Sequence, residues 1–279
     1  MTLSSIRLNY ATMDMLYWTL PYLGLGLMVG FFAGLLGIGG GGIMVPLLVM
    51  IFTAQGFENT HLVHMALGTS MASIVLTSMS SAYHHHQRDA VRWDVWKKMA
   101  FWLLLGTFTL SFFTSYLPRT FLAIFFSVFM TYVAIQMFLN IKPKPSRTLP
   151  SQLGLGFTGF TIGGISALVA IGGGTMSVPF LTWCNVKIQH AIATSAALGV
   201  PIAIAGGIGY AMSGFGHEGL PTYSVGYVYL PAVLLISLVS VFIVPFGVKL
   251  SHRLPVGVLK KVFALMMLLL ALKMLDIIV

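Results

Sequence analysis

Gly30-Phe-Phe-Ala-Gly-Leu-Leu-Gly-Ile-Gly-Gly-Gly-Gly-Ile-Met-Val-Pro46 returns later in the chain, without a gap, as Gly163-Gly-Ile-Ser-Ala-Leu-Val-Ala-Ile-Gly-Gly-Gly-Thr-Met-Ser-Val-Pro179. The consecutive glycines and the Val-Pro after them stand at the same distances in both copies. Leu48 pairs with Leu181, and Gly26 upstream pairs with Gly159. After a loop of different length, Leu67-Gly-Thr-Ser-Met-Ala72 pairs with Ile192-Ala-Thr-Ser-Ala-Ala197. Apolar helices resemble one another by chance, but a glycine cluster with Val-Pro in register is a harder coincidence. The chain therefore reads as a duplication. The polar, proline-broken segment Lys142–Pro150 cannot continue a helix and divides it. The expected organisation is a first membrane repeat over 1–141, a linker over 142–150 and a second repeat over 151–279.

Composition places both repeats in lipid. Of 279 residues, 57% are hydrophobic and only 8% charged, with a mean hydropathy of +0.93. A soluble domain carries about 25% charged residues, so a soluble enzyme and a disordered chain are both excluded. The fold class expected is an all-α integral membrane protein of roughly eight to ten membrane segments. Apolar runs fall at about 16–38, 43–53, 65–83, 99–117 and 120–141, then at about 153–171, 176–184, 190–212, 225–248 and 256–278. The runs 43–53 and 176–184 are too short to cross a bilayer, and each follows a glycine cluster. They read as half-helices entered through a break, which lipid tolerates only where protein or water surrounds it. The first run lacks a cleavage site and reads as a retained span.

The net charge of +9 reads as topology rather than as nucleic-acid binding. If 54–64 and 213–224 face outside and each glycine hairpin returns to its own side, then 12 of the 15 basic residues face the cytoplasm and only Arg7, Arg119 and Lys273 lie outside. That partition predicts inverted halves and both termini outside. Inverted halves with broken helices are a transporter architecture with its site near the midplane. Parallel halves, with the glycine turns at the far surface, are the alternative.

The glycines separate into two sets. Gly26, Gly30 and Gly34, with Gly159, Gly163 and Ala167, have the spacing of a helix-packing stripe. Gly39, Gly40, Gly41, Gly42 and Gly172, Gly173, Gly174, with Thr175, cover every face of a helix and suit an anion cradle at a half-helix start. Gly37-Ile-Gly-Gly-Gly-Gly42 matches a dinucleotide fingerprint only formally, since no βαβ unit surrounds it. No phosphate-loop lysine follows either cluster. Thr69, Ser70, Thr194 and Ser195 are hydroxyl pairs at matched positions that could donate to an oxyanion, or bond their own backbone. His64 and His190 stand near the mouths of the helices carrying those pairs. They are candidates for a proton or anion relay, or ordinary interfacial histidines. His84-His85-His86 reads as a polar edge, because successive helical residues point different ways. Cys184, alone, can form no internal disulfide. Asp14, Glu58, Asp89, Asp94, Glu218 and Asp276 all lie outside the span centres, so a cation finds no membrane carboxylate and acid–base catalysis lacks its acid. No metal or cofactor is expected. The partners expected are a small anion and the lipid bilayer, with homo-oligomerisation left open.

On the segments Gly34-Leu-Leu-Gly-Ile-Gly-Gly-Gly-Gly-Ile-Met-Val-Pro-Leu-Leu48 and Ala170-Ile-Gly-Gly-Gly-Thr-Met-Ser-Val-Pro-Phe-Leu181, with Ala66–Ser70 and Ala191–Ser195, the chain resembles the TauE/SafE family of sulfite exporters and organosulfur-anion permeases. The resemblance implies an inner-membrane transporter, not an enzyme, for a small sulfur oxyanion such as sulfite, a sulfonate or sulfoacetate. A passive anion channel and a membrane-embedded enzyme are the alternatives. Thr175 stands where the first copy has Gly42, so the half-sites should differ chemically.

Overall fold

A computed structural model describes residues 3–37, 40–139, 146–251 and 256–278, with side chains described from Trp18 onward in the first helix and from Lys261 onward in the last. Gly39 and the 142–145 part of the linker lie outside these residues. The first half runs α1 (Leu3–Leu36), α2 (Gly41–Ala54), α3 (Leu62–His86), α4 (Trp93–Phe112), a 3₁₀ turn (Phe113–Tyr116) and α5 (Arg119–Phe138). The second runs α6 (Gln152–Val169), α7 (Gly174–Trp183), α8 (Ile188–Ser213), a short hairpin of β1 (Ser224–Val225) and β2 (Val228–Tyr229), α9 (Leu230–Ser251) and α10 (Val256–Ile278). The protein is an all-α membrane protein. Seven helices among the described residues are long and apolar enough to cross a bilayer, including α3 and α8. The half-helices α2 and α7 are too short, and α10 carries Lys261, Lys273 and Asp276 toward its ends.

Equivalent helices make equivalent contacts across the two halves. α1 packs along α9 as α6 packs along α4, α3 packs on α8, and α5 packs on α10. The glycine stripes make the first two seams. A Cβ on Gly26 would stand 2.8 Å from the Ile236 carbonyl oxygen, and one on Gly30 would stand 2.6 Å from that of Ser240. A Cβ on Gly34 would overlap the Val244 carbonyl, as one on Gly163 would overlap that of Leu103. These glycines are packing elements, as their spacing suggests: they let backbones approach where no side chain fits. Hydroxyls tie α3 to α9. Thr77 Oγ1 and Ser240 Oγ share a hydrogen bond at 2.7 Å, and Ser237 Oγ donates to the Ser73 carbonyl at 3.3 Å.

α3 and α8 are the most buried spans, and they cross antiparallel. Gly206 meets Met71, Gly207 meets Ala72 and Gly199 meets Ser78, so one numbering rises as the other falls. Each glycine break turns the chain back on itself. Gly40 lies against Val29, and Tyr22 Oη donates to Gln55 Oε1 at 2.7 Å, so α2 returns along α1. At the end of α7, Trp183 Nε1 donates to Ser146 Oγ at 2.8 Å, just before α6 begins, so α7 likewise returns toward the start of α6.

Candidate functional site

The two breaks share one backbone geometry. Gly37 and Ala170 both adopt positive φ, 67° and 47°, and three residues later Gly40 and Gly173 both have φ 78°. Gly40 and Gly173 are the N-caps of α2 and α7. The first helical bonds also match: Ile43 and Met44 N–H donate to the Gly40 carbonyl, and Met176 and Ser177 N–H donate to that of Gly173. Gly41 and Gly42, with Gly174 and Thr175, therefore open their helices with N–H groups that have no acceptor within the helix. Each start carries the positive end of a half-helix.

The breaks touch. A Cβ on Gly41 would overlap the Ala170 carbonyl oxygen and reach Ile74, near the middle of α3. The Gly172 carbonyl lies against Gly199, near the middle of α8, and Gly173 lies against Ile202. Ser70 is one turn before Ile74 on the same helical face, and Ser195 is one turn before Gly199. Ser70 and Ser195 are both wholly buried, with no hydrogen-bond partner for either Oγ. Buried hydroxyls without partners are unusual and call for an explanation.

Thr69 and Thr194 do a different job. Thr69 Oγ1 accepts the Tyr229 N–H at 3.0 Å, where α9 begins, and Thr194 Oγ1 accepts the Arg92 N–H at 2.9 Å, where α4 begins. Each threonine satisfies an orphan N–H at the entry of the other half's fourth helix. This role is visible in the sequence only as a pair of matched Thr-Ser dipeptides.

The histidines hold loops. His64 Nε2 lies 3.1 Å from the carbonyls of both Thr114 and Leu117, which it bridges across the 3₁₀ turn. His190 Nδ1 lies 2.9 Å from the Ala90 carbonyl. Pairing Thr69 with Thr194 puts His190 opposite Met65 rather than His64, so the two are not strict counterparts. Sequence reasoning missed the ring cluster around His64. Tyr227 lies 5.0 Å from His64, 5.4 Å from His61 and 5.5 Å from His217, between ring centroids. Burial pushes the His61 imidazole below its ordinary range, His217 adds to that push and Glu58 opposes it. His84 bonds the Ser80 carbonyl, whereas His86 accepts from Trp93 Nε1, so the tract points apart.

Acidic side chains keep to the periphery among the described residues. Glu58, Asp89 and Glu218 are in loops. Asp94, in the first turn of α4, pairs with Arg92 at 2.6 Å, and Asp276 pairs with Lys273 at 2.8 Å.

Crossed spans, half-helices folded back from glycine breaks, and unpartnered buried hydroxyls on the helices that touch those breaks are the framework of a membrane transporter. The family model for sulfite exporter TauE/SafE matches residues 22–274, and the chain belongs to that family. Among its relatives is a probable membrane transporter protein of Haemophilus influenzae, 39% identical over 89% of this chain and 95% of the relative. A second, from Bacillus subtilis, is 29% identical over 84% of this chain and 90% of that protein, and is also named a probable membrane transporter protein. A third of the same description, from Methanocaldococcus jannaschii, is 28% identical over 82% of this chain and 84% of its own length. No solved structure matches the chain.

Proposed function

We propose that the protein exports a small sulfur-containing oxyanion, such as sulfite, a sulfonate or sulfoacetate, across a bacterial inner membrane. The observation that carries this reading is the contact of the α2 start at Gly41 with the second break at Ala170, between two helices that carry the unpartnered hydroxyls of Ser70 and Ser195 one turn from residues touching the breaks. N–H groups at Gly40, Gly41, Gly42, Gly172 and Gly174, with that of Thr175, bind the anion at the positive helix ends, and Gly173, whose own N–H donates to the Ile171 carbonyl, turns the chain between them. The serine hydroxyls complete its hydrogen bonds, and Thr69 and Thr194 keep the helices that carry them in place. A neutral site holds an anion modestly and lets it leave. His64 and His190 relay protons only if flux proves proton-coupled.

The halves are inverted in this account, with 1–141 and 151–279 as the repeats. Support comes from the antiparallel crossing of the equivalent helices α3 and α8 and from the reciprocal seams of α1 on α9 and α6 on α4. Both termini then face outside and the Lys142–Pro150 linker faces the cytoplasm. Reporter fusions at the C-terminus and near Ser146 are expected to read outside and inside. A cytoplasmic C-terminus overturns the inverted arrangement.

Transport needs no nucleotide in this reading. Moving one charge across 100 mV is worth roughly 2.3 kcal/mol, so an interior-negative potential expels a monoanion. In proteoliposomes, sulfite efflux is expected to rise when a potassium gradient with valinomycin makes the interior negative and to fall when the sign is reversed. Flux indifferent to the potential contradicts potential-driven export. Saturation and counterflow separate a carrier from a channel.

A further inference from the structure

Two connecting segments close over the end of α3 that carries Ser70. The 55–61 loop leads from α2 into α3, and the 214–229 segment leads from α8 through the hairpin into α9. The hairpin is fixed to α3 itself. The Tyr227 carbonyl oxygen lies 2.6 Å from where a Cβ on Gly68 would be, and the Tyr229 N–H donates to Thr69 Oγ1 at 3.0 Å. The Tyr227 N–H donates to the Tyr210 carbonyl at 3.3 Å, which ties the hairpin to α8 as well. Above this anchor the two segments meet through rings. His61 and His217 stand edge to face with centroids 5.3 Å apart, and the Tyr227 ring lies against both. Tyr227 Oη is 3.4 Å from His61 Nδ1. Glu58 packs beside Gly219, where a Cβ would overlap its carboxylate.

The ring contacts depend on protons. Tyr227 donates to His61 Nδ1 only while that nitrogen carries no proton. A cation on each ring would set like charges face to face in a partly buried place. Burial already disfavours the charged form of His61, and His217 adds to this. Glu58 opposes both from the same loop, and Glu218 stands next to His217 in the chain. From α5, Arg119 brings a positive charge: its Nη1 donates to the Asn59 carbonyl at 2.8 Å, two residues before His61. From α3, His64 stands 6.2 Å from His61, with Nε2 held between the Thr114 and Leu117 carbonyls. The sign follows. The closed arrangement favours a neutral His61, so the contact has full strength above the ordinary imidazole range and is lost as the pH falls through it.

We propose that His61 and His217 form a proton-binding site that latches the 55–61 loop to the 214–223 segment while both rings are neutral and releases it when both are protonated, so that acid on this face opens the mouth above Ser70. The consequence for transport rests on the proposed function; the latch itself is a property of the two segments. In the proposed topology this face is the outer one, and release of the anion rises as the exterior turns acid.

Spin labels on Asn59→Cys and Phe215→Cys, in a Cys184→Ala background held in lipid nanodiscs, read the distance between the segments; both labelled positions are exposed. Lowering the pH from about 8 to about 5, across the imidazole range, is expected to lengthen that distance, and restoring the pH should reverse it. His217→Gln should keep the short distance throughout, because a lone cation at His61 meets no like charge. His86→Gln, at the opposite end of α3, is the control and should open as the wild-type sequence does. In proteoliposomes, flux of methanesulfonate and of thiosulfate, both ionised throughout this range, should rise about fivefold on acidification of this face, the order of one interaction between partly exposed charges. Flux through His217→Gln should stay level. An unchanged distance in the wild-type sequence overturns the latch, as does equal lengthening in His217→Gln. Lengthening confined to the wild-type sequence, with flux level across the range, overturns its role at the mouth. The same lengthening with no flux of either anion at any pH sinks the transport reading and leaves the latch standing.

Discussion

Gly41→Ala is expected to destabilise the protein by about 3 kcal/mol or more, although it adds a single methyl group. The new carbon would coincide with the Ala170 carbonyl oxygen, a backbone atom that cannot rotate away. Overpacking a buried site costs about 1–3 kcal/mol where side chains can shift, and occasionally more. Here relief requires that the two breaks separate, so anion flux should fall with stability. Gly24→Ala is the comparison: nothing lies within 4 Å of its Cβ position, and alanine favours a helix by roughly 0.5–1 kcal/mol. Thermal unfolding in detergent reads both variants. A Gly41→Ala protein as stable as wild type would mean that the breaks do not touch.

The seams between halves carry the second large effect. Gly34→Leu and Gly163→Leu should each abolish the yield of folded, monodisperse protein. A side chain at Gly34 must displace the Val244 carbonyl on α9, and one at Gly163 must displace the Leu103 carbonyl on α4. Without a hydrophobic driving force between helices in lipid, close backbone packing is much of what holds them together. Because the seams are equivalent, the two losses should be of similar size. Size-exclusion profiles at matched expression test this. A monodisperse Gly34→Leu protein would place α1 elsewhere than on α9.

Much of this architecture is legible in the sequence because glycine is read directly. The stripe spacing of Gly26, Gly30 and Gly34 announces a close helix seam, and the glycine clusters before Val45-Pro46 and Val178-Pro179 announce a break. The matched positive φ of Gly40 and Gly173 bears out that second reading. Ala170 shows where such reading stops: it takes the left-handed conformation that Gly37 takes in the first half, with a side chain that gives no hint of it. Roles set by long-range partners were equally hidden. Thr69 accepts from Tyr229 and Thr194 from Arg92, so their hydroxyls serve helix entries more than a hundred residues away. The rings of His61, His64, His217 and Tyr227 converge from the start of α3 and from the segment after α8, which no local pattern connects.

In the proposed function, a small anion crosses where the two glycine breaks meet. The most direct test is the flux of radiolabelled sulfite and thiosulfate through proteoliposomes holding wild-type protein or Gly174→Leu at equal inserted, folded amounts. Saturable flux of at least one of these anions is expected through the wild type, with background leakage through Gly174→Leu. Equal flux through the two proteins, or wild-type flux no faster than that of empty vesicles for both anions, would contradict it.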